Sequence, residues 1–268
     1  MLKSIVVSAS GTKFSALAFK ENLKESIAKV AALGFDAVEL AVRDPHLVDL
    51  EELQIILRDY NLMVSAIGTG QAYGEEGLSF ANPDPAIRKK AVQRIKDQLE
   101  FSEKLCKPQV IIGLVRGTVV AGMRKELAEG YFIECMQECA DFKREIILTL
   151  EPINRYETNL YNDTASMIEV INKIGRRNVK MLYDTFHMNI EEPDMIKAIH
   201  NSKDYISHVH FADSNRWAPG CGHIDFKKII AALKEINYRN AISAEILPKP
   251  SSDESAKLTM DFFKKADL

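Results

Sequence analysis

The chain has 268 residues, 46% of them hydrophobic and 27% charged, the make-up of a globular protein with a full core rather than a disordered or fibrous one. A net charge of −3 supplies no basic field to hold nucleic acid or an anionic membrane surface. No stretch approaches the roughly 18 apolar residues of a membrane span, and the N-terminal MLKSIVVSASGTKFSALAF, broken by Ser, Gly and Thr, is a poor signal peptide.

Read in chain order, strand candidates rich in Val and Ile alternate with segments of helical period. SIVVSAS (4–10) is followed by a helix over 19–34 that stops at Gly34. AVELAV (37–42) leads to a helix over 47–60. LMVSAIG (62–68) leads through a long segment, 71–85, to a helix over 85–105 with Pro85 at its start. That segment reads either as a lid or as a plain solvated loop. QVIIGLV (109–115) precedes a helix over 124–143, in which Cys135 and Cys139 read as core packing. EIILTLE (145–151) precedes a helix over 162–175 that runs from an Asn/Asp cap to Gly175. VKMLYD (179–184) precedes one over 193–202, and ISHVHFA (206–212) one over 225–237 with Asp225 as its N-cap. AISAEIL (241–247) precedes the last, over 253–266.

The strands are continuously apolar, as in a parallel sheet buried on both faces. Eight such units of about 33 residues predict an α/β fold of the (β/α)8 TIM-barrel type, forming one catalytic domain over 1–268. A doubly wound open sheet is the alternative. The four cysteines include no CxxC pair, which fits a reducing cytoplasm.

In a barrel, chemistry collects at the C-terminal ends of the strands. Those ends present Glu151 after strand five, Asp184 after strand six, His210 within strand seven and Glu245 within strand eight. The separations are 33, 26 and 35 residues, each about one βα unit. Singly, each reads as a core polar group with a local partner. Together they read as a metal site, because converging carboxylates repel one another unless a cation joins them. Three carboxylates and one imidazole, with no thiolate, fit Mn²⁺, with Co²⁺ or Mg²⁺ as alternatives and Zn²⁺ less favoured. Four protein ligands to a six-coordinate ion leave two positions, which suits a substrate with adjacent oxygens. His208 reads as a buried group one layer below His210, and His223 as a loop residue. Gly220 and Gly222 permit the turn behind strand seven. Arg43 and Arg116 follow strands two and four, and read either as surface ion pairs or as a seat for a carboxylate or phosphate.

Four stretches carry a resemblance: LEPINRYETNL (150–160), YDTFHMNIEE (183–192), HVHFADSNRWAPGCGHIDF (208–226) and SAEI (243–246). Together they resemble the sugar isomerase and epimerase superfamily with a xylose-isomerase-like barrel, and within it the D-tagatose 3-epimerase (ketose 3-epimerase) family. The match covers essentially the whole chain, with the specific motifs in its second half. The resemblance implies that Glu151 and Glu245 are metal ligands and acid/bases, and that Asp184 and His210 are metal ligands. It implies that Glu157, His187 and Arg216 contact the substrate. The implied reaction inverts the carbon next to the ketone of a ketose through a metal-stabilised cis-enediolate, one glutamate serving each face. If the two arginines seat an anion rather than forming surface ion pairs, the chain resembles a divergent branch of the family active on keto-sugar acids, such as 5-keto-L-gluconate giving D-tagaturonate; plain ketohexoses are the alternative substrate.

Other functions share the barrel. A metal-dependent aldose–ketose isomerase or inosose dehydratase would use similar ligands and differ in product. A DNA-repair endonuclease would want more histidines and a basic surface, whereas this chain has six His. A non-catalytic sugar-binding protein would keep Arg216 and His187 without needing both glutamates. The expected partner is a small sugar or sugar acid, with no nucleic acid and no membrane, in a homodimer or homotetramer.

Overall fold

Residues 1–9, 15–20 and 22–268 are described by a computed structural model. Ser10, expected in the first strand, and Glu21, expected in the first helix, lie outside the described residues. Strands β1 (Leu2–Ser8), β2 (Ala37–Ala41), β3 (Met63–Gly68), β4 (Gln109–Ile112), β5 (Leu148–Leu150), β6 (Val179–Asp184), β7 (Ile206–Phe211) and β8 (Ala241–Ala244) form one closed parallel barrel in sequence order. The barrel shuts by pairing β1 with β8 from Leu2↔Ala241 to Ile5↔Ala244. Every residue of β2 and β7 is buried, because side chains on one face fill the interior while those on the other meet the helices. The expected (β/α)8 barrel is the observed one.

The helices among the described residues are α1 (Leu23–Leu33), α2 (Leu50–Asp59), α3 (Gly70–Glu76), α4 (Pro85–Glu103), α5 (Lys125–Phe142), α6 (Thr164–Ile174), α7 (Thr185–Glu191), α8 (Met195–Asn201), α9 (Phe226–Glu235) and α10 (Ser252–Lys265). Their ends follow the sequence signals. Asp163 caps α6 by accepting from the Ser166 N–H, and Asp225 caps α9 by accepting from the Lys228 N–H. Cys135 and Cys139 are buried in α5, as their spacing implied. No described helix is long and apolar enough to cross a membrane.

Two short helices stand apart from the eight expected ones. In α3, GQAYGEE has two glycines and little apolar period, so no helical signal marks it. It opens the 71–85 segment, whose later residues Leu78, Phe80 and Ala81 are buried. The N–H groups of Phe80 and Ala81 donate to the carbonyls of Val115 and Arg116, at 2.9 and 3.0 Å. The segment is therefore docked against the β4 end, which corrects the reading of a plain solvated loop. The other short helix, α7, starts directly at the end of β6 and is bound up with the site itself.

Candidate metal centre

The ends of β5 to β8 bring four ligand-type side chains together. Atoms of Glu151, Asp184, His210 and Glu245 all lie within 4.8 Å of one another. Two of these positions are set by the strands, with Asp184 closing β6 and His210 inside β7, level with Asp184 in the register. Glu151 and Glu245 each fall one residue past a strand, so Glu245 lies just beyond β8 rather than within it. Asp184 has two tasks. Its Oδ1 accepts from the N–H groups of Phe186 and His187, at 2.7 and 3.2 Å, and so caps α7. Its Oδ2 is left 3.5 Å from His210 Nδ1. Glu151 Oε1 stands 3.6 Å from the same nitrogen. These three atoms, Glu151 Oε1, Asp184 Oδ2 and His210 Nδ1, are buried and have no hydrogen-bond partner. Buried polar atoms are almost always paired, so three unpaired ligand atoms aimed at one point fit a cation. A Cβ on Gly113, past β4, would stand 2.9 Å from Glu151 Oε2, which leaves glycine as the residue that admits the carboxylate.

The imidazole is oriented from below by Glu39, a residue of β2 that sequence reasoning did not single out. Glu39 is buried, and its carboxylate lies 3.0 and 3.1 Å from His210 Nε2 and 2.8 Å from His208 Nε2. Burial alone would raise the Glu39 carboxyl, but His210 and His208 together hold it well below the usual carboxylate range. An ionised Glu39 accepts the Nε2–H of His210 and leaves Nδ1 turned toward the other three carboxylates, an orientation that commonly supports a metal-binding histidine. His208 is confirmed as a buried group beneath His210, tied to the same carboxylate. A glutamate inside the apolar run AVELAV was the available signal. Glu39→Gln is expected to weaken Mn²⁺ binding by about 10–100-fold, read by competition with a chromogenic chelator. An unchanged Mn²⁺ affinity would remove this role.

The groups expected to meet substrate form a second network at the same cavity. Arg216 donates to Glu245 Oε2 at 2.6 Å and to Glu157 Oε1 at 3.3 Å, and its guanidinium lies 4.9 Å from the Phe186 ring centre. It sits at φ 60, a left-handed conformation that a non-glycine residue holds only when its surroundings impose it. Asp213 imposes it. The fully buried carboxylate accepts from the N–H groups of Ser214, Gly220 and Ile224, at 2.7, 2.8 and 3.1 Å, and winds the loop around itself. A Cβ on Gly222 would collide with that carboxylate. His223 is a loop residue, 3.0 Å from the Ser214 hydroxyl.

Asn154, also not singled out from the sequence, donates its amide to Glu157 Oε1 at 3.0 Å and lies 2.8 Å from His187 Nδ1. Nδ1 is then the acceptor and Nε2 carries the hydrogen, facing Glu151 Oε1 at 3.8 Å. Burial lowers the His187 pKa despite the nearby Asp184, which keeps the ring neutral. Burial likewise pushes Glu245 up to about 7, with Arg216 acting against it.

Of the two remaining arginines, Arg43 follows the ion-pair reading and Arg116 follows neither reading. Arg43 pairs with Glu75 at 2.9 Å and Glu76 at 3.5 Å, both on α3. Arg116 is fully buried behind the site and donates to the Glu151 main-chain carbonyl. Burial lowers its pKa to about 10. Neither is among the residues lining the cavity. Arg116 is a buried support for the β5 end, so neither surface pairing nor an anion seat describes it.

Comparison with known proteins bears on the fold and the family. A family model described as xylose isomerase-like TIM barrel matches residues 27–266. The chain is 31% identical over 230 residues to an L-ribulose 3-epimerase of Methylomonas sp. strain DH-1, covering 83% of this chain and 77% of that protein. It is 27% identical over 240 residues to a 3-dehydro-D-guloside 4-epimerase of Escherichia coli K12, covering 85% and 88%. The crystal structure of a D-allulose 3-epimerase from Methylomonas sp. in complex with D-allulose superposes with a TM-score of 0.84 at 27% identity, covering 99% of this chain and 97% of that one.

Proposed function

The chain belongs to the xylose isomerase-like TIM barrel family, and from that membership and its four-residue cluster we propose that it is a divalent-metal-dependent epimerase inverting the carbon next to the ketone of a ketose or keto-sugar acid. It is an enzyme of the isomerase class, similar to ketose 3-epimerases and to a keto-sugar 4-epimerase. The observation that carries the proposal is the set of unpaired buried atoms on Glu151, Asp184 and His210, which calls for a cation in the cavity where Glu157, His187 and Arg216 wait.

Glu151, Asp184, His210 and Glu245 would hold the cation, and hard oxygen ligands favour Mn²⁺, with Co²⁺ or Mg²⁺ as alternatives. Such an ion supplies Lewis-acid polarisation of a ketone oxygen and its neighbouring hydroxyl. The rest falls to the chain's own groups. The Glu151 and Glu245 carboxylates stem from strands three apart around the barrel, so they reach the reacting carbon from different sides. One takes the proton and the other returns one on the opposite face. Arg216, held by Glu157 and Glu245, and the Nε2–H of His187 offer hydrogens to substrate oxygens. The single domain over 1–268, a cytoplasmic location and a homodimer or homotetramer complete the proposal.

The Mn²⁺-loaded enzyme, offered a panel of ketoses and keto-sugar acids including D-allulose and 5-keto-L-gluconate, is expected to give products inverted only at the carbon next to the ketone, read by NMR. Aldose or dehydrated products would transfer it to the isomerase or dehydratase reading.

A further inference from the structure

The cavity has two chemically different walls. The side built from β5 to β8 holds the cluster with Glu157, His187 and Arg216. Apart from Glu39 beneath His210, the side built from β1 to β4 is largely apolar, with Val6, Leu17, Ala41, Ile111 and Leu114 lining the cavity. Gln71, in the first turn of α3, interrupts that apolar wall. The residue is only 5% exposed. Its Nε2 donates to Ser8 Oγ at 3.3 Å, while its Oε1 is buried with no hydrogen-bond partner. Neighbouring Thr69 differs, since its hydroxyl is used on the Ile111 carbonyl at 2.6 Å. A buried carbonyl oxygen left without a donor is unfavourable, so its persistence in a substrate cavity calls for a donor on the ligand.

Resting on the sugar-epimerase reading above, we propose that Gln71 is a specificity-determining residue whose Oε1 accepts a hydrogen bond from a sugar hydroxyl beyond the two oxygens at the cluster. The chemistry selects the group. With Nε2 engaged by Ser8, the amide presents an acceptor, so a hydroxyl is matched whereas a hydrogen, a methyl group or a carboxylate oxygen is not. The site then recognises the sugar at two places: the polar cluster fixes the reacting carbon, and Gln71 tests a hydroxyl farther along the chain.

The test uses the full-length Mn²⁺-loaded enzyme as wild type, Gln71→Leu and Gln71→Met. Each is given D-allulose, 5-keto-L-gluconate, and D-allulose analogues lacking one hydroxyl at each carbon beyond the epimerised one. Dissociation constants from calorimetry and kcat/KM are both read. One analogue is expected to lose on the order of 10–100-fold on the wild type, and that loss should vanish in Gln71→Leu while the other analogues keep their wild-type ratios. A variant that weakens every analogue by one common factor, or none, overturns the inference and leaves Gln71 a packing residue. If Gln71→Leu does not fold, Gln71→Met carries the same comparison. A wild type that neither binds nor converts any sugar of the panel overturns the epimerase reading, and this inference with it, so the two failures are told apart by the wild-type data alone.

Discussion

Stripping divalent metal from the enzyme with a chelator is expected to abolish turnover, and adding Mn²⁺ or Co²⁺ is expected to restore it. The same treatment should lower the melting temperature. Glu151, Asp184 and Glu245 converge with His210 within 4.8 Å, and a cation that binds only the folded chain stabilises it by mass action. At a metal concentration of about 100 times Kd that stabilisation is about 2.7 kcal/mol. For a chain of this size it corresponds to a shift of roughly 5–10 °C. The pH dependence has a definite sign. In the metal-free protein Glu245 is pushed up to about 7 from an ordinary 4.5, chiefly by burial. Between those values the folded state keeps a proton that the unfolded chain has released. The contribution of Glu245 to metal-free stability is thus present at low pH and is lost as pH rises through about 7. Metal needs the carboxylate, so its affinity rises over that same interval. The gap between metal-loaded and stripped melting curves should therefore widen from about pH 5 to pH 8. Full activity in protein verified to be metal-free would overturn the metal-dependent reading.

The barrel was legible because its strand candidates are continuously apolar, as buried parallel strands are, and alternate with helices eight times. Glu151 and Asp184 declared themselves as lone charged groups at the ends of such runs, and His210 and Glu245 as lone ionisable groups within them. Glu39 carried the same kind of signal in AVELAV and was passed over. Its significance depends on a partner 171 residues away, which barrel closure alone brings across the interior. Arg116 shows the opposite difficulty. An arginine after a strand reads as exposed, yet a tight turn over Leu114–Arg116 buries its side chain behind Glu151. Arg43 was legible as a surface ion-pair residue, but its partners Glu75 and Glu76 sit on α3, a helix whose glycines hide it. The α7 helix was hidden because its cap is Asp184, a residue already read as a ligand. One carboxylate can serve both, because Oδ1 caps the helix and Oδ2 is left unpaired.

Glu151→Gln and Glu245→Gln are each expected to lower turnover by roughly 10²–10⁴-fold while failing in different ways under isotope exchange. Glutamine keeps the shape and one carbonyl ligand but cannot accept the substrate proton. It also weakens the metal site, so both variants are to be studied fully loaded with Mn²⁺, and lost turnover alone would prove little. Exchange separates the roles. In D₂O, the variant that keeps the base for one epimer should wash deuterium into that epimer without converting it. The other variant should label only the opposite epimer. This crossed pattern requires two bases on opposite faces of one carbon, which the strand positions of Glu151 and Glu245 allow. Asp184 and His210 provide the control, because the other two ligands have no assigned proton to move. Changing either should weaken exchange into both epimers together, through loss of metal. Near wild-type turnover in both loaded glutamine variants would end the two-base mechanism. Label entering both epimers in either variant would mean that the remaining glutamate serves both faces, and the altered residue would then be a ligand and nothing more.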